Sequence, residues 1–420
     1  MRSLSTNDSD GKKKRNVTLL LVSRSFRSLT LGFLAFAMPL YLHTIGLSLF
    51  LVGAYFAIAT ISSSALIFLG GFLADSFGRR DVLLLYSILF VASMAVFTFA
   101  KSPWIIFGTS ILGLGTGSGG GMGGGAGGGP FAPIQSAIFA DNTAQNERTK
   151  TFSINFAVAS FSALAGSSIS VLAFSQMPLR AAFTDLFLIG FVFATLSVVS
   201  TFFIGRDKLP FPHSGVGKKE NRKIISMPRK SAGAISRIAL AGSLGSLGLG
   251  VVIPLIPLWF KLYLGASALE VSELYTISYI VVGASFLLAE RTEKFIGRVT
   301  SILLLRVLSS VVLLSLAFSP DYLIASVLFL VRIATYTVTI PMRQSLSMEL
   351  FSEDERASGA SLTGLARRLP YGLGVSISGV LFSLGLFVTA VFAGALVSML
   401  DPLLYYYFFR GRDHRDQLLA

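Results

Sequence analysis

Gly71-Phe72-Leu73-Ala74-Asp75-Ser76-Phe77-Gly78-Arg79-Arg80 is the stretch on which the reading of this chain turns. Apolar runs flank it, over 50–74 and 82–100, and a bilayer-spanning helix needs about 20 apolar residues. The stretch is therefore a short hairpin between two spans, and each part has a reason. Gly71 lets two helices approach closely, and Gly78 permits the tight backbone that so short a loop requires. Asp75 is a carboxylate among basic neighbours, able to face a helix N-terminus where partial positive charge accumulates. Arg79 and Arg80 hold the loop on one side of the membrane.

Working outward, the chain echoes itself at about half its length. Leu31-Gly32, Pro39-Leu40 and Tyr41 recur as Leu249-Gly250, Pro257-Leu258 and Trp259, shifted by 218 positions. Gly78-Arg79 returns as Gly297-Arg298, and Glu147-Arg148 returns as Glu355-Arg356. Twelve apolar stretches are long enough to span: 17–42, 50–74, 82–100, 104–140, 152–175, 181–204, 238–264, 271–289, 299–318, 322–348, 358–384 and 386–409. Only 13% of residues are charged and 53% are hydrophobic, against roughly 25% charged in soluble domains. These features predict an all-α membrane protein of two related halves, with a working site near the bilayer midplane at their seam.

Lys and Arg set the orientation. With the N-terminus inside, the inner side receives Lys12 to Arg15, Arg79-Arg80, Arg148, Lys150, the polar segment 205–237, Arg291, Lys294, Arg298, Arg356, Arg410, Arg412 and Arg415. The outer side receives only Lys101, Arg180 and Lys261. This is the asymmetry of the positive-inside rule, so both termini are expected in the cytoplasm. The expected organisation is a tail at 1–16, a bundle at 17–204, a linker at 205–237, a second bundle at 238–409 and a tail at 410–420. The net charge of +14 then marks topology and contact with anionic lipid heads, not nucleic-acid binding. No Cys is present and the three His are scattered, so no metal cluster is expected. Neither a catalytic constellation nor a cofactor motif is evident, and an enzyme is not expected.

The hairpin at 71–80 resembles the signature loop of the major facilitator superfamily. The resemblance extends to the twelve spans, the inner linker after the sixth and the half-to-half echo. It implies two pseudo-symmetric six-helix bundles around a central cavity, worked by rocking-type alternating access. It also implies that Gly71, Asp75, Gly78, Arg79 and Arg80 form an inner-side latch reaching toward the start of the eleventh span, near Ser358. The second-half counterpart keeps Gly297-Arg298 but spaces its acids, Glu290 and Glu293, differently. The fifth span, with Ala165-Gly166-Ser167-Ser168, lacks the Gly-Pro pattern of the family's drug/proton antiporters, and the fourth lacks their Arg.

The fourth span is unusual. Residues 113–129 hold twelve glycines in seventeen positions, and Pro103 to Pro133 spans 30 residues where the matching interval Pro320 to Pro341 spans 21. At 1.5 Å per residue, 30 residues rise about 45 Å, well beyond the hydrocarbon thickness. Each helical Gly also weakens a helix by about 0.8–1 kcal/mol against Ala. A broken or over-long helix is expected, with Gly117, Gly121 and Gly125 as hinge positions. A phosphate-cradling loop does not fit, because no Gly-Lys-Ser/Thr follows.

Ionisable residues at membrane depth are functional hypotheses by default. Arg332 lies about ten residues into the tenth span, so about 15 Å deep, where a guanidinium can clamp a carboxylate or phosphate bidentately. Tyr336 is one turn further on the same face. Asp401, before Pro402, lies about 13 Å from the inner edge and is a candidate proton carrier or the partner of an Arg. Arg24, Arg27, Arg367 and Arg368 are expected to snorkel to the inner interface.

The chain thus reads as a secondary active transporter, monomeric, in the plasma membrane, driven by protons as coupling ion. The expected substrate, engaged by Arg332 and Tyr336, is a drug-like compound or a small organic anion or metabolite. A non-transporting sensor or scaffold of the same fold is the alternative.

Overall fold

The computed structural model describes residues 2–114, 129–143, 148–205, 230–352 and 355–410. Every described element is a helix. In chain order these are α1 (Arg2–Thr44), α2 (Leu49–Phe77), α3 (Arg79–Phe99), α4 (Pro103–Gly108), α5 (Phe131–Asn142), α6 (Arg148–Gln176) and α7 (Leu179–Phe202). There follow α8 (Ala232–Val252), α9 (Ile256–Tyr263), α10 (Ala268–Ile296), α11 (Arg298–Leu316), α12 (Tyr322–Leu350), α13 (Arg356–Ser383) and α14 (Phe387–Phe409). Among the described residues, ten helices are long and apolar enough to cross a membrane. The fourth span is supplied by α4 and α5, and the eleventh by α13, whose Arg367, Arg368 and many small residues lower its apolarity. The fold is that of an all-helical membrane protein with the expected span order.

Local chemistry sets the helix ends. Ser48 Oγ accepts from the Leu51 amide at 3.3 Å and Asp321 Oδ1 from the Ile324 amide at 2.9 Å, N-caps that satisfy orphan donors. Ser267 and Glu270 form a reciprocal capping box at the start of α10. Gly78 (φ 93°) and Gly297 (φ 91°) separate α2 from α3 and α10 from α11, in a region L-residues rarely adopt. α1 begins well before residue 17, because the basic run Lys12 to Arg15 continues the helix beyond the apolar stretch.

The fourth span is not one helix. After α4 comes a 3-10 turn, Thr109–Leu112, which Gly113 ends in the left-handed conformation (φ 63°). Gly113 packs so closely on α2 that a Cβ there would lie 2.5 Å from the Ser63 amide nitrogen. Helix resumes at Phe131. Gly117, Gly121 and Gly125 lie outside the described residues.

The chain packs as two compact units: Met1–Asp207 with Ile256–Gly283, and Lys208–Leu255 with Ala284–Ala420. In the first, α1 crosses α6 at two glycines. A Cβ on Gly32 would sit 2.2 Å from the Ala163 carbonyl oxygen, and one on Gly166 1.9 Å from that of Leu29. Ser23 Oγ lies 2.9 Å from Ser197 Oγ and 2.7 Å from Thr201 Oγ1, tying α1 to α7. The segment 256–283 packs here too, with Tyr279 Oη donating to the Gly32 carbonyl at 3.1 Å and the Ser167 and Thr276 hydroxyls 2.7 Å apart.

In the second unit the same crossing recurs between α8 and α13. A Cβ on Gly250 would lie 2.1 Å from the Tyr371 carbonyl oxygen, and one on Gly374 2.2 Å from that of Leu247. Gly32 and Gly250 are equivalent under the half-repeat. Small residues at a crossing let backbones meet where lipid supplies no hydrophobic drive. Val299, Ile302, Val338, Met342, Leu346 and Tyr405 pack the core near the start of α11 and the C-terminal halves of α12 and α14. Leu287, Phe295, Phe318, Leu323 and Tyr407 are exposed, as expected of side chains that meet hydrocarbon.

Candidate functional site

The polar centre of the second unit is built by four helices. α11 contributes Arg306, Ser309, Ser310 and Leu313; α12 contributes Arg332 and Tyr336; α14 contributes Ser398, Asp401 and Pro402; α8 contributes Gly245 and Leu249. Together they line one small cavity. Gly245 is what admits the acid, since a Cβ on it would lie 2.5 Å from Asp401 Cβ. Arg367, on α13, slides past Gly242 in the same way, with its Cδ 2.9 Å from where a Cβ would be.

Asp401 is 3% exposed, and its Oδ2 accepts from two guanidiniums, Arg306 Nη1 at 2.5 Å and Arg343 Nη1 at 2.6 Å. Arg306 Nε donates to Thr339 Oγ1 at 2.9 Å. The Tyr336 ring lies between two cations, with Arg306 4.5 Å and Arg332 4.9 Å from its centroid, while Arg343 lies 4.5 Å from the Tyr405 centroid. A desolvated cation on an aromatic face gains on the order of 2 kcal/mol, which helps hold these side chains at depth. Ser309 Oγ donates to the Arg332 carbonyl at 3.2 Å, and the Ser310 and Ser398 hydroxyls are 3.2 Å apart. The structure thus brings Arg332, Tyr336 and Asp401 to one cavity, an arrangement the separate depths of these residues in the sequence did not reveal.

Two members are new relative to the sequence reading. Arg306 interrupts Leu303-Leu304-Leu305 and Val307-Leu308, about 12 Å in from Arg298 at helical rise. The depth argument that selects Arg332 selects it too. Arg343 lies two residues past Pro341, and only its meeting with Asp401 across helices marks it.

The first unit carries a related layer of different charge. Arg27 Nη2 donates to Gln135 Oε1 at 2.9 Å and Arg24 Nη1 donates to the same oxygen at 3.3 Å. Arg27 also stacks 4.3 Å over Phe131. Both arginines are almost fully buried, so they do not run to the interface as snorkelling would have them. The Gln135 amide and the Phe131 face give them an internal seat. Under the half-repeat Ser87 and Gln135 correspond to Arg306 and Arg343.

The loop between α2 and α3 is anchored from the end of α5. Arg79 pairs with Asp141 and donates to the Ala137 carbonyl at 3.4 Å. Arg80 Nη1 meets Asp81 Oδ1 at 2.6 Å and its guanidinium lies 5.2 Å from the Phe202 centroid. The counterpart loop does the same, with Arg298 bound to Glu293 and to Glu349, each at 2.6 Å. Glu349 is the repeat equivalent of Asp141. The side chains of Asp75 and Ser358 lie outside the described residues.

Comparison with known proteins agrees with this architecture. The Major Facilitator Superfamily model matches residues 20–237 and again 238–419. An uncharacterized membrane protein of Saccharomyces cerevisiae is 21% identical over 427 residues, covering 93% of each chain. Among solved structures, the nucleoside transporter NupG is similar with a TM-score of 0.74 at 12% identity, covering 94% of this chain and 100% of that one. The inward-open xylose transporter XylE from E. coli gives 0.71 at 14%, covering 94% and 98%. The human organic anion transporter MFSD10 gives 0.62 at 15%, covering 94% and 99%. At these identities the likeness is one of fold. With both halves matched and the transporter fold in place, the chain belongs to the major facilitator superfamily.

Proposed function

We propose that this protein is a secondary active transporter that moves a small organic anion by alternating access. The observation that carries the reading is the buried cationic layer of the second unit, where Arg306 and Arg343 both pair with Asp401 and Arg332 lines the cavity beside it. A lining rich in guanidiniums favours a carboxylate or phosphate over a neutral or cationic group. Arg332 and Tyr336 engage the anionic group, the guanidinium by paired hydrogen bonds and the ring by its polar edge. A cationic lining disfavours lipophilic cations, so drug export gains no support from it.

Asp401 is the coupling residue in this reading. A proton arriving there breaks both ion pairs and releases Arg306 and Arg343 toward the substrate; its departure restores them. Solved relatives of the fold include a D-xylose-proton symporter, which favours a proton over other ions. The Arg79 loop serves as the inner latch, the protein works as a monomer in the plasma membrane, and both termini face the cytoplasm.

Counterflow in proteoliposomes tests the reading. Organic mono- and dicarboxylates and phosphate esters are preloaded, and uptake of the labelled compound is followed. A ligand at 100 times its Kd raises folded-state stability by about 2.7 kcal/mol, so a thermal-shift panel selects the compounds. Uptake that Arg332→Ala abolishes supports an anion transporter. Uptake of every anion left unchanged by that substitution overturns the clamp.

A further inference from the structure

Arg367 lies three turns into α13, about 16 Å from its start by helical rise, too deep for its guanidinium to run to the interface. The stem of the side chain is held: a Cβ on Gly242 of α8 would lie 2.9 Å from Arg367 Cγ and Cδ. The charged head is not. Among the described residues no carboxylate pairs with it and no acceptor takes its hydrogens, and its Nε is buried without a partner. Its electrostatic neighbours are Arg343, Arg306, Tyr336 and Asp401. The one acid of that set is already bound through Oδ2 by Arg306 and Arg343. Three guanidiniums therefore share one carboxylate, and charge at this depth is costly unless compensated.

The same face of α13 has room. Gly364 precedes Arg367 by one turn and Tyr371 follows it by one, and a Cβ on Gly364 would meet nothing within 4 Å. Arg367 is partly exposed, whereas Arg306, Arg343 and Asp401 are buried. A ligand can reach Arg367 without disturbing either ion pair.

We infer that Arg367 is the guanidinium that first receives the anionic group of the substrate, a carboxylate or phosphate held by paired N–H donors. The inference rests on the anion-transport reading and adds to it a residue that reading does not use. While Asp401 is ionised, Arg306 and Arg343 stay with it. The stem fixed at Gly242 keeps the fork oriented, so little side-chain freedom is lost on binding. Tyr336, which stands among Arg306, Arg332 and Arg367, joins this contact to the rest of the site.

The test is thermal unfolding of the purified full chain with acetate, succinate, citrate and inorganic phosphate as probes. At least one probe should raise the midpoint saturably. In Arg367→Gln its affinity should fall about tenfold or more, the effect of losing a hydrogen bond from a charged group. The midpoint without probe should stay level or rise in that variant, because no bond within the protein is lost. Arg343→Gln, which breaks a bond to Asp401, should lower it. Arg367→Lys keeps the charge without the planar fork and should recover only part of the affinity. A probe affinity unchanged in Arg367→Gln overturns the inference. So does a probe-free midpoint that falls as far as in Arg343→Gln, which would make Arg367 an internal partner. If binding is still lost in Arg332→Ala, the transport reading survives that failure. If no probe stabilises the unaltered protein, both fall.

Discussion

At the scale of single residues, Asp401 is the acid on which two arginines depend. Removing one partner of a buried pair leaves an uncompensated charge and is destabilising by about 3–5 kcal/mol. Asp401→Asn should therefore lower the unfolding midpoint far more than Ser315→Ala, a change at an exposed position on α11. Equal effects would show that the pairs contribute little. Gly245→Ala pushes a methyl into Asp401 Cβ at 2.5 Å and should cost about 1–3 kcal/mol through overpacking. Arg332 and Tyr336 were legible because a charge inside an apolar run has a depth that counting residues supplies. Arg306 was legible by the same count. That Arg306, Arg343 and Gly245 meet at Asp401 was not, because cross-helix register depends on how four helices rotate against each other, and hydropathy does not encode it.

At the scale of elements, the paired glycine crossings decide how closely helices approach. A methyl added at Gly166 or Gly374 would come within 1.9 or 2.2 Å of a backbone carbonyl oxygen on α1 or α8, and backbone cannot swing aside. Gly166→Leu and Gly374→Leu should each prevent a stable monodisperse protein in detergent. Gly233→Ala and Gly283→Ala meet nothing within 4 Å and should leave the melting profile unchanged or slightly raised, as helical Ala is favoured over Gly. A crossing variant as stable as these controls would refute the packing account. Gly78→Ala and Gly297→Ala force an L-residue to a φ near 91–93°, a strain of about 1–3 kcal/mol. Span positions were legible from apolar runs. The early start of α1 was not, since polar helix outside the bilayer carries no hydropathy signal; the eleventh span, 358–384, was legible although Arg367 and Arg368 make α13 less apolar than its neighbours.

At the scale of the whole molecule, the half-repeat was the most legible feature, because duplicated glycines, prolines and loop arginines return at nearly constant offsets. The grouping of the buried charges was less so, because residues far apart in the sequence come together only in the fold. Orientation can be read directly, because the chain has no native Cys and any introduced thiol reports alone. Lys12→Cys and Lys294→Cys should react with an impermeant maleimide only from the cytoplasmic side, and Lys101→Cys and Arg180→Cys only from the opposite side. The reverse pattern would invert the topology drawn from the basic residues.

The pairing of Asp401 with two distant arginines also sets an order of events while the protein is being made. Arg306 and Arg343 precede Asp401 by 95 and 58 residues. At a synthesis rate of roughly 5–20 residues per second, a ribosome would leave Arg306 without that partner for about 5–20 s. Through that interval α11 and α12 must be sheltered by the insertion machinery or by neighbouring helices, each carrying a charge that lipid does not tolerate. Arrival of α14 is then the step that commits the half-made bundle to its final packing. A nascent chain halted before residue 401 should remain bound to insertion factors, and one carrying Arg306→Leu and Arg343→Leu should leave them sooner.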